Sequence, residues 1–165
     1  MAEFPTKSVG EVVTAADWNQ IEEYVEDSVQ PVQLLSSSTL VAVETSLTNV
    51  VDTSVALPAG WGSMDFVLNG YISYRIGSTS SSDRSRVEQR VESPSGTQVG
   101  PLAATLVFRP AGIVAYSTLP ITARLLGATG STTVRVRSQV TSGASGSGEL
   151  DAEFRYVIAQ RVRRS

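Results

Sequence analysis

The spacing of apolar positions divides the chain in two. Between Gly10 and Gln30 (GEVVTAADWNQIEEYVEDSVQ) apolar side chains recur three and four apart, at Trp18, Ile21, Val25 and Val29 with Tyr24 beside them, while Glu22, Glu23, Glu26 and Asp27 take the other positions. That is the period of a helix with one narrow apolar stripe. Thr14 supplies an N-cap and Asp17, three residues on, the carboxylate of a short capping box. The helix is therefore predicted to run to about Ser28, and Pro31 forbids its continuation.

From Thr39 onward the period is two, in short runs of Val, Thr, Leu and aromatics broken by Gly, Ser and Pro. Strands are predicted near Thr39–Val43, Asn49–Leu57, Met64–Ile76, Arg86–Glu92, Ala104–Arg109, Ile113–Ser117, Thr122–Leu126, Thr132–Val140 and Glu149–Arg161. In the Met64 strand, Phe66, Leu68, Gly70, Ile72, Tyr74 and Ile76 share one face, against Asp65, Asn69, Tyr71, Ser73 and Arg75. The last strand is read with Leu150, Ala152, Phe154, Tyr156 and Ile158 inward against Asp151, Glu153 and Arg155; the Thr132 strand sets Val134 and Val136 against Arg135 and Arg137.

Long strands with one wet face and no helix between them favour two antiparallel sheets packed face to face. The expected fold is mainly β, a jelly-roll-like antiparallel β-sandwich preceded by an extended arm and one short N-terminal α-helix. Residues 1–30 form the arm and amphipathic helix, for anchoring or oligomerisation; 31–38 form a connector; 39–165 form the sandwich. Segments 77–83 and 141–148, small and polar, are read as hairpin connections. Ala59–Gly62 is a tight turn, with Trp61 either capping the end of the sandwich or exposed for contact.

Composition removes whole classes of chemistry. A chain of 165 residues with 41% hydrophobic content supports one core. It has no cysteine and no histidine, hence no disulfide, thiolate metal site, cysteine nucleophile or ordinary Ser-His triad. Glu88 with Glu92, and Asp151 with Glu153, have the even spacing that sets two carboxylates on one strand face. Arg86, Arg90 and Arg155 lie on the same stretches, the pattern of a wet face stitched by ion pairs rather than of a glycosidase pair. No Gly-rich phosphate loop with a following Lys occurs, and no EF-hand run. The chain is accordingly expected to be no enzyme and to hold no cofactor and no metal.

No apolar run approaches the roughly 20 residues that span a bilayer, and the acidic start lacks the regions of a secretory signal, so a soluble protein without a membrane partner is expected. Residues 1–30 hold seven acids and one Lys, a net of −6, and the rest nine acids and twelve Arg, a net of +3. An acidic arm thus precedes a mildly basic body. Arg161, Arg163 and Arg164 are read as a solvated tail, since no broader basic patch with interleaved aromatics points to nucleic acid.

The helix stripe needs a cover. One is the chain's own β domain; the other is a second copy, for which Trp18, Ile21, Val25 and Ser28 form an a-d-a-d seam of about two heptads. Phe4, beside Pro5 in the extended arm, is an aromatic without a local partner, as expected of an anchor or of a disordered end.

These opening residues, FPTKSVGEVVTAADWNQI from Phe4 to Ile21, resemble the N-terminal segments of tailed-bacteriophage virion proteins, where an extended arm and a T-A-x-D-x-N helix start precede a β-rich trimeric domain. The body is similar in architecture to jelly-roll domains of phage decoration proteins, head fibres and tail fibres. The resemblance implies a non-enzymatic homotrimer on the capsid surface of a virion, most simply a capsid decoration or cement protein partnered by the major capsid protein or another virion protein. Candidate capsid or subunit contacts are then Phe4, Trp18, Ile21, Tyr24 and Val25. A head-fibre or tail-fibre knob that binds a host-surface glycan is the alternative, with Trp61 and Tyr116 as candidate outward-facing binding residues. A stand-alone carbohydrate-binding module is the second alternative.

Overall fold

The structure is a computed structural model that describes residues 8–77, 84–108, 114–143, 145 and 149–164, apart from the side chains of residues 23, 24, 26–28 and 84. One helix, α1 (Ala15–Ser28), precedes nine strands: β1 (Val29–Ser37), β2 (Val41–Ala42), β3 (Thr48–Val55), β4 (Ser63–Ile76), β5 (Arg84–Glu92), β6 (Ala103–Phe108), β7 (Ala115–Ala128), β8 (Thr132–Gly143) and β9 (Leu150–Arg164). The helix starts as its capping box dictates: the Asp17 carboxylate accepts from the Thr14 amide at 2.7 Å, and the Thr14 hydroxyl accepts from the Asp17 amide at 3.3 Å.

Sheet A has the order β1-β9-β4-β7, with β2 continuing the β1 side of β9; sheet B has the order β3-β8-β5-β6, and all pairings are antiparallel. Only β5 and β6 are successive strands paired in one sheet, because the chain otherwise crosses between the sheets from β3 to β9. That wrapping is a jelly roll. Segments 77–83 and 141–148 therefore join strands of opposite sheets and are not hairpins, although most of their residues lie outside the described ones.

The core fills the space between the sheets. β4 contributes Met64, Phe66, Leu68, Ile72, Tyr74 and Ile76, as its alternation required, and β8 opposes them with Val134, Val136 and Val140. A polar thread crosses this core: the Tyr74 hydroxyl donates to Gln89 Oε1 at 2.7 Å and also bonds the Ser138 hydroxyl, while Gln89 Nε2 donates to the Pro120 carbonyl at 3.0 Å. Burial pushes the Tyr74 phenol well above its usual range, and the Ser138 hydrogen bond offsets this in part.

Four further sequence expectations change. Residues 31–38 are not a connector, for Val29–Ser37 pairs along β9 as the edge strand of sheet A, where Pro31 is tolerated because one side of an edge strand has no ladder partner. Pro120 likewise does not divide Ile113–Ser117 from Thr122–Leu126, because β7 is the opposite edge and runs unbroken through it. The expected strand at Thr39–Val43 shrinks to β2, with Val43 buried beside it. The terminal arginines are no solvated tail: β9 continues to Arg164, and Arg161 donates to the Ala56 carbonyl and to Gln30 Oε1, each at 3.1 Å. Together with Arg155, which donates to the carbonyls of Val50 and Thr39 at 2.8 Å, it ties β9 to the sheet B strand β3 and to the β1–β2 link.

Candidate functional site

The outer faces of the two sheets differ in kind. On sheet B the outward side chains of β3, β8 and β5 form ion pairs: Arg90 with Glu92 at 2.6 Å, Arg137 with the other Glu92 oxygen at 3.4 Å, Arg135 with Asp52 at 3.3 Å and Arg86 with Glu88 at 3.3 Å; its edge strand β6 instead exposes Leu106 and Phe108. The Glu88 and Glu92 carboxylates are thus engaged by arginines, as the alternating charges suggested. Among the described residues no three carboxylates gather as a metal would need.

Sheet A presents aromatics instead. Tyr71 from β4 stacks on Tyr156 from β9 with ring centres 5.9 Å apart, and Tyr116 from β7 meets Phe154 from β9 at 6.0 Å. Tyr71, Phe154 and Tyr116 remain 43%, 44% and 50% exposed, so none of the described residues covers them. A Glu153 carboxylate accepts from the Tyr116 hydroxyl, which raises the phenol's pKa, and pairs with Arg75 at 3.8 Å. Ser36, Ser37 and Ser38 of the β1 end wall a shallow recess of about 220 Å³ beside Tyr71, Phe154 and Tyr156.

This face corrects the expected facing of β9. Phe154, Tyr156 and Ile158 were expected inward; the register shifts between Ser73 and Tyr74, so that Ser73 faces Phe154 and Tyr74 faces Ala152. Glu153 is the extra residue of a bulge, and the phase of alternation reverses across it. Leu150 and Ala152 point inward before it, Val157 and Ala159 after it. Asp151 and Glu153 do not make an exposed pair: Asp151 is buried and Glu153 is not. The signal available in the sequence was the apolar run Val157–Ile158–Ala159, which admits either phase.

The second uncovered surface is α1. Trp18 is 61% and Val25 55% exposed, and Ile21 is half-buried. Val29 is both the residue that ends the helix and the first residue of β1, already extended at φ −131°, ψ 101°. The helix touches β1 and β9 of sheet A, and the Trp18 and Val25 positions of its stripe remain uncovered by the described residues. Phe4 and the side chain of Tyr24 lie outside the described residues.

Trp61 caps the sandwich and is no outward platform. Its amide donates to the Pro58 carbonyl at 3.2 Å in a turn where Gly60 takes φ +81°, and its ring is only 7% exposed within the core cluster. Tyr116 is exposed as expected, and the structure brings it together with Phe154, Tyr71 and Tyr156, partners that strand periodicity had not assembled.

No protein-family model matches the chain, and no curated protein matches it. Among solved structures, a T13 particle of infectious bursal disease virus is similar at a TM-score of 0.46 and 11% identity over 83% of this chain and 32% of that one. A family-36 carbohydrate-binding domain of a multidomain xylanase from the hindgut metagenome of Trinervitermes trinervoides is similar at 0.27 and 16% identity, covering 79% and 95%. A C-terminal family-6 domain of a marine laminarinase from Zobellia galactanivorans gives 0.28 and 15%, covering 79% and 98%. The chain spans about a third of the length of the viral chains it is similar to. The jelly-roll assignment rests on its own strand order.

Proposed function

We propose that the chain is a non-enzymatic structural subunit of a tailed-phage virion, a homotrimeric capsid decoration or cement protein that binds and reinforces the head shell. The observation that carries this reading is the helix that leaves β1 without a linker and holds Trp18 and Val25 in solvent. An apolar stripe that its own domain does not cover is an interface awaiting a partner. The resemblance of Phe4–Ile21 to phage virion arms names the setting. In this role the sandwich is a rigid knob, the arm and helix are the attachment, and a trimer bridging neighbouring capsid subunits adds buried surface to the assembled shell and so stabilises it by mass action.

The test has two parts. The full chain, of 17.5 kDa, is expected to scatter light as a trimer of about three times that mass and to sediment with shells of the major capsid protein from the same genome. A 17.5 kDa particle that stays in the supernatant refutes the reading.

The aromatic face of sheet A favours a second reading, the glycan-binding knob of a fibre, because exposed Tyr and Phe rings beside serine hydroxyls suit sugar stacking. Titration with host lipopolysaccharide, in which Tyr71→Ala abolishes binding, separates it from the first.

A further inference from the structure

We infer that the helix of one copy lies on the aromatic face of sheet A of the next copy, so that subunits exchange helices around a closed ring. This rests on the homotrimer reading and specifies its contacts. Besides Leu106 and Phe108 on the β6 edge of sheet B, the described residues leave open two apolar surfaces that suit each other, the Trp18–Ile21–Val25 stripe and the Tyr71–Tyr156–Phe154 patch. Within a chain neither covers the other: α1 runs into β1 with no residue between, and Trp18, Val25, Tyr71 and Phe154 all stay exposed. Between chains each is a complement to the other, and a repeated head-to-tail contact of this kind closes into a three-membered ring when each copy is turned a third of a revolution from the last.

The competing arrangement bundles three helices along the symmetry axis. Charge decides against it. Residues 1–30 carry a net −6 and the rest a net +3, so a bundle gathers three strongly acidic arms within roughly the 8 Å screening length. A bundle also leaves the aromatic patch wet. Seated on sheet A, the acidic helix instead meets a face whose positive charge is in excess at one end: Arg124 and Arg164 share the single carboxylate of Asp65, at 3.9 and 3.8 Å, with their side chains 67% and 55% exposed. A helix of 14 residues is about 21 Å long, and Tyr71 lies four residues along β4 from Val67, the partner of Arg124, about 13 Å. One helix therefore reaches both the aromatic patch and the arginines.

The chain has no cysteine, which makes a clean crosslinking test. In the Trp18→Cys/Phe154→Cys double variant, mild oxidation is expected to give covalent dimers and trimers on a non-reducing gel, whereas neither single variant crosslinks. Crosslinking by Trp18→Cys alone identifies a helix bundle and overturns the inference while leaving the trimer intact; so does a trimeric double variant that fails to crosslink. A wild-type chain that scatters as a monomer removes the homotrimer reading itself. Salt gives a second readout on the unaltered protein. The dissociation constant of the assembly is expected to rise about tenfold between about 0.1 M and 1 M NaCl, as attraction between acidic helix and basic face is screened. A constant that falls with salt, or does not move, refutes the seating.

Discussion

Tyr74→Phe removes one oxygen and tests whether the sandwich is held by its polar thread as well as by its apolar core. The hydroxyl donates to Gln89 Oε1 at 2.7 Å and bonds Ser138, and the Gln89 and Ser138 side chains are themselves buried. Gln89 Nε2 is committed to the Pro120 carbonyl, so its amide cannot turn to find another donor for Oε1. The variant thus loses two hydrogen bonds and strands two buried groups, a cost of about 2–4 kcal/mol. Because the three residues act as one network, Tyr74→Phe combined with Ser138→Ala is expected to cost less than the sum of the two single changes. Urea unfolding at fixed protein concentration measures both quantities, with the m-value unchanged. The same hydroxyl sets a pH limit. Its folded pKa is raised above the ordinary value of 10.0, so its contribution is complete below pH 10 and is lost as pH rises further, by about 1.4 kcal/mol per pH unit. That alkaline slope should be shallower in Tyr74→Phe. A cost below about 0.5 kcal/mol, or an unchanged slope, would refute the account.

Other substitutions probe other links. Gly70→Ala drives a methyl into the Tyr156 carbonyl oxygen, forcing β4 from β9 beneath the aromatic face; a loss of about 3 kcal/mol in urea unfolding is expected. Arg155 donates to Val50 O, Thr39 O and Ser37 Oγ, a fork that a lysine ammonium cannot reproduce, so Arg155→Lys should lower the melting temperature nearly as far as Arg155→Ala. Tyr71→Ala with Phe154→Ala should leave monomer stability within about 1 kcal/mol yet move the trimer peak in light scattering to higher protein concentration, since both rings are exposed within one chain.

What the sequence discloses and what it withholds follow from how local each signal is. The helix and its cap were legible because Thr14 and Asp17 are three residues apart and act on each other directly. The inward face of β4 was legible because apolar Met64, Phe66, Leu68, Ile72, Tyr74 and Ile76 recur at even spacing along one strand. β1 was hidden: Pro31 and a run of serines carry the composition of a loop, and only pairing with β9 across more than 100 residues makes them a strand. β9 was legible as a strand but not in phase, since a bulge at Glu153 leaves no mark on composition. The aromatic patch therefore could not be assembled from periodicity. It needs three strands and one bulge to bring Tyr71, Tyr116, Phe154 and Tyr156 to the same face.

The contrast between the two outer faces also bears on how the subunit is oriented in the proposed trimer. Burying sheet B would desolvate a network of arginines and carboxylates, at several kcal/mol per ion, whereas burying sheet A covers rings that gain from leaving water. In the proposed trimer sheet A therefore faces a neighbour, and the charged part of sheet B, on β3, β8 and β5, faces solvent. The two tryptophans allow this to be watched, because Trp18 is 61% exposed on the helix and Trp61 is 7% exposed in the core. In Trp61→Phe, Trp18 is the only indole. Its emission should shift to the blue, and its quenching by acrylamide should fall severalfold, over the concentration range in which light scattering records assembly. If Trp18 stays fully quenchable in the assembled protein, the helix lies outside the interface and the sheet faces hold the subunits together alone.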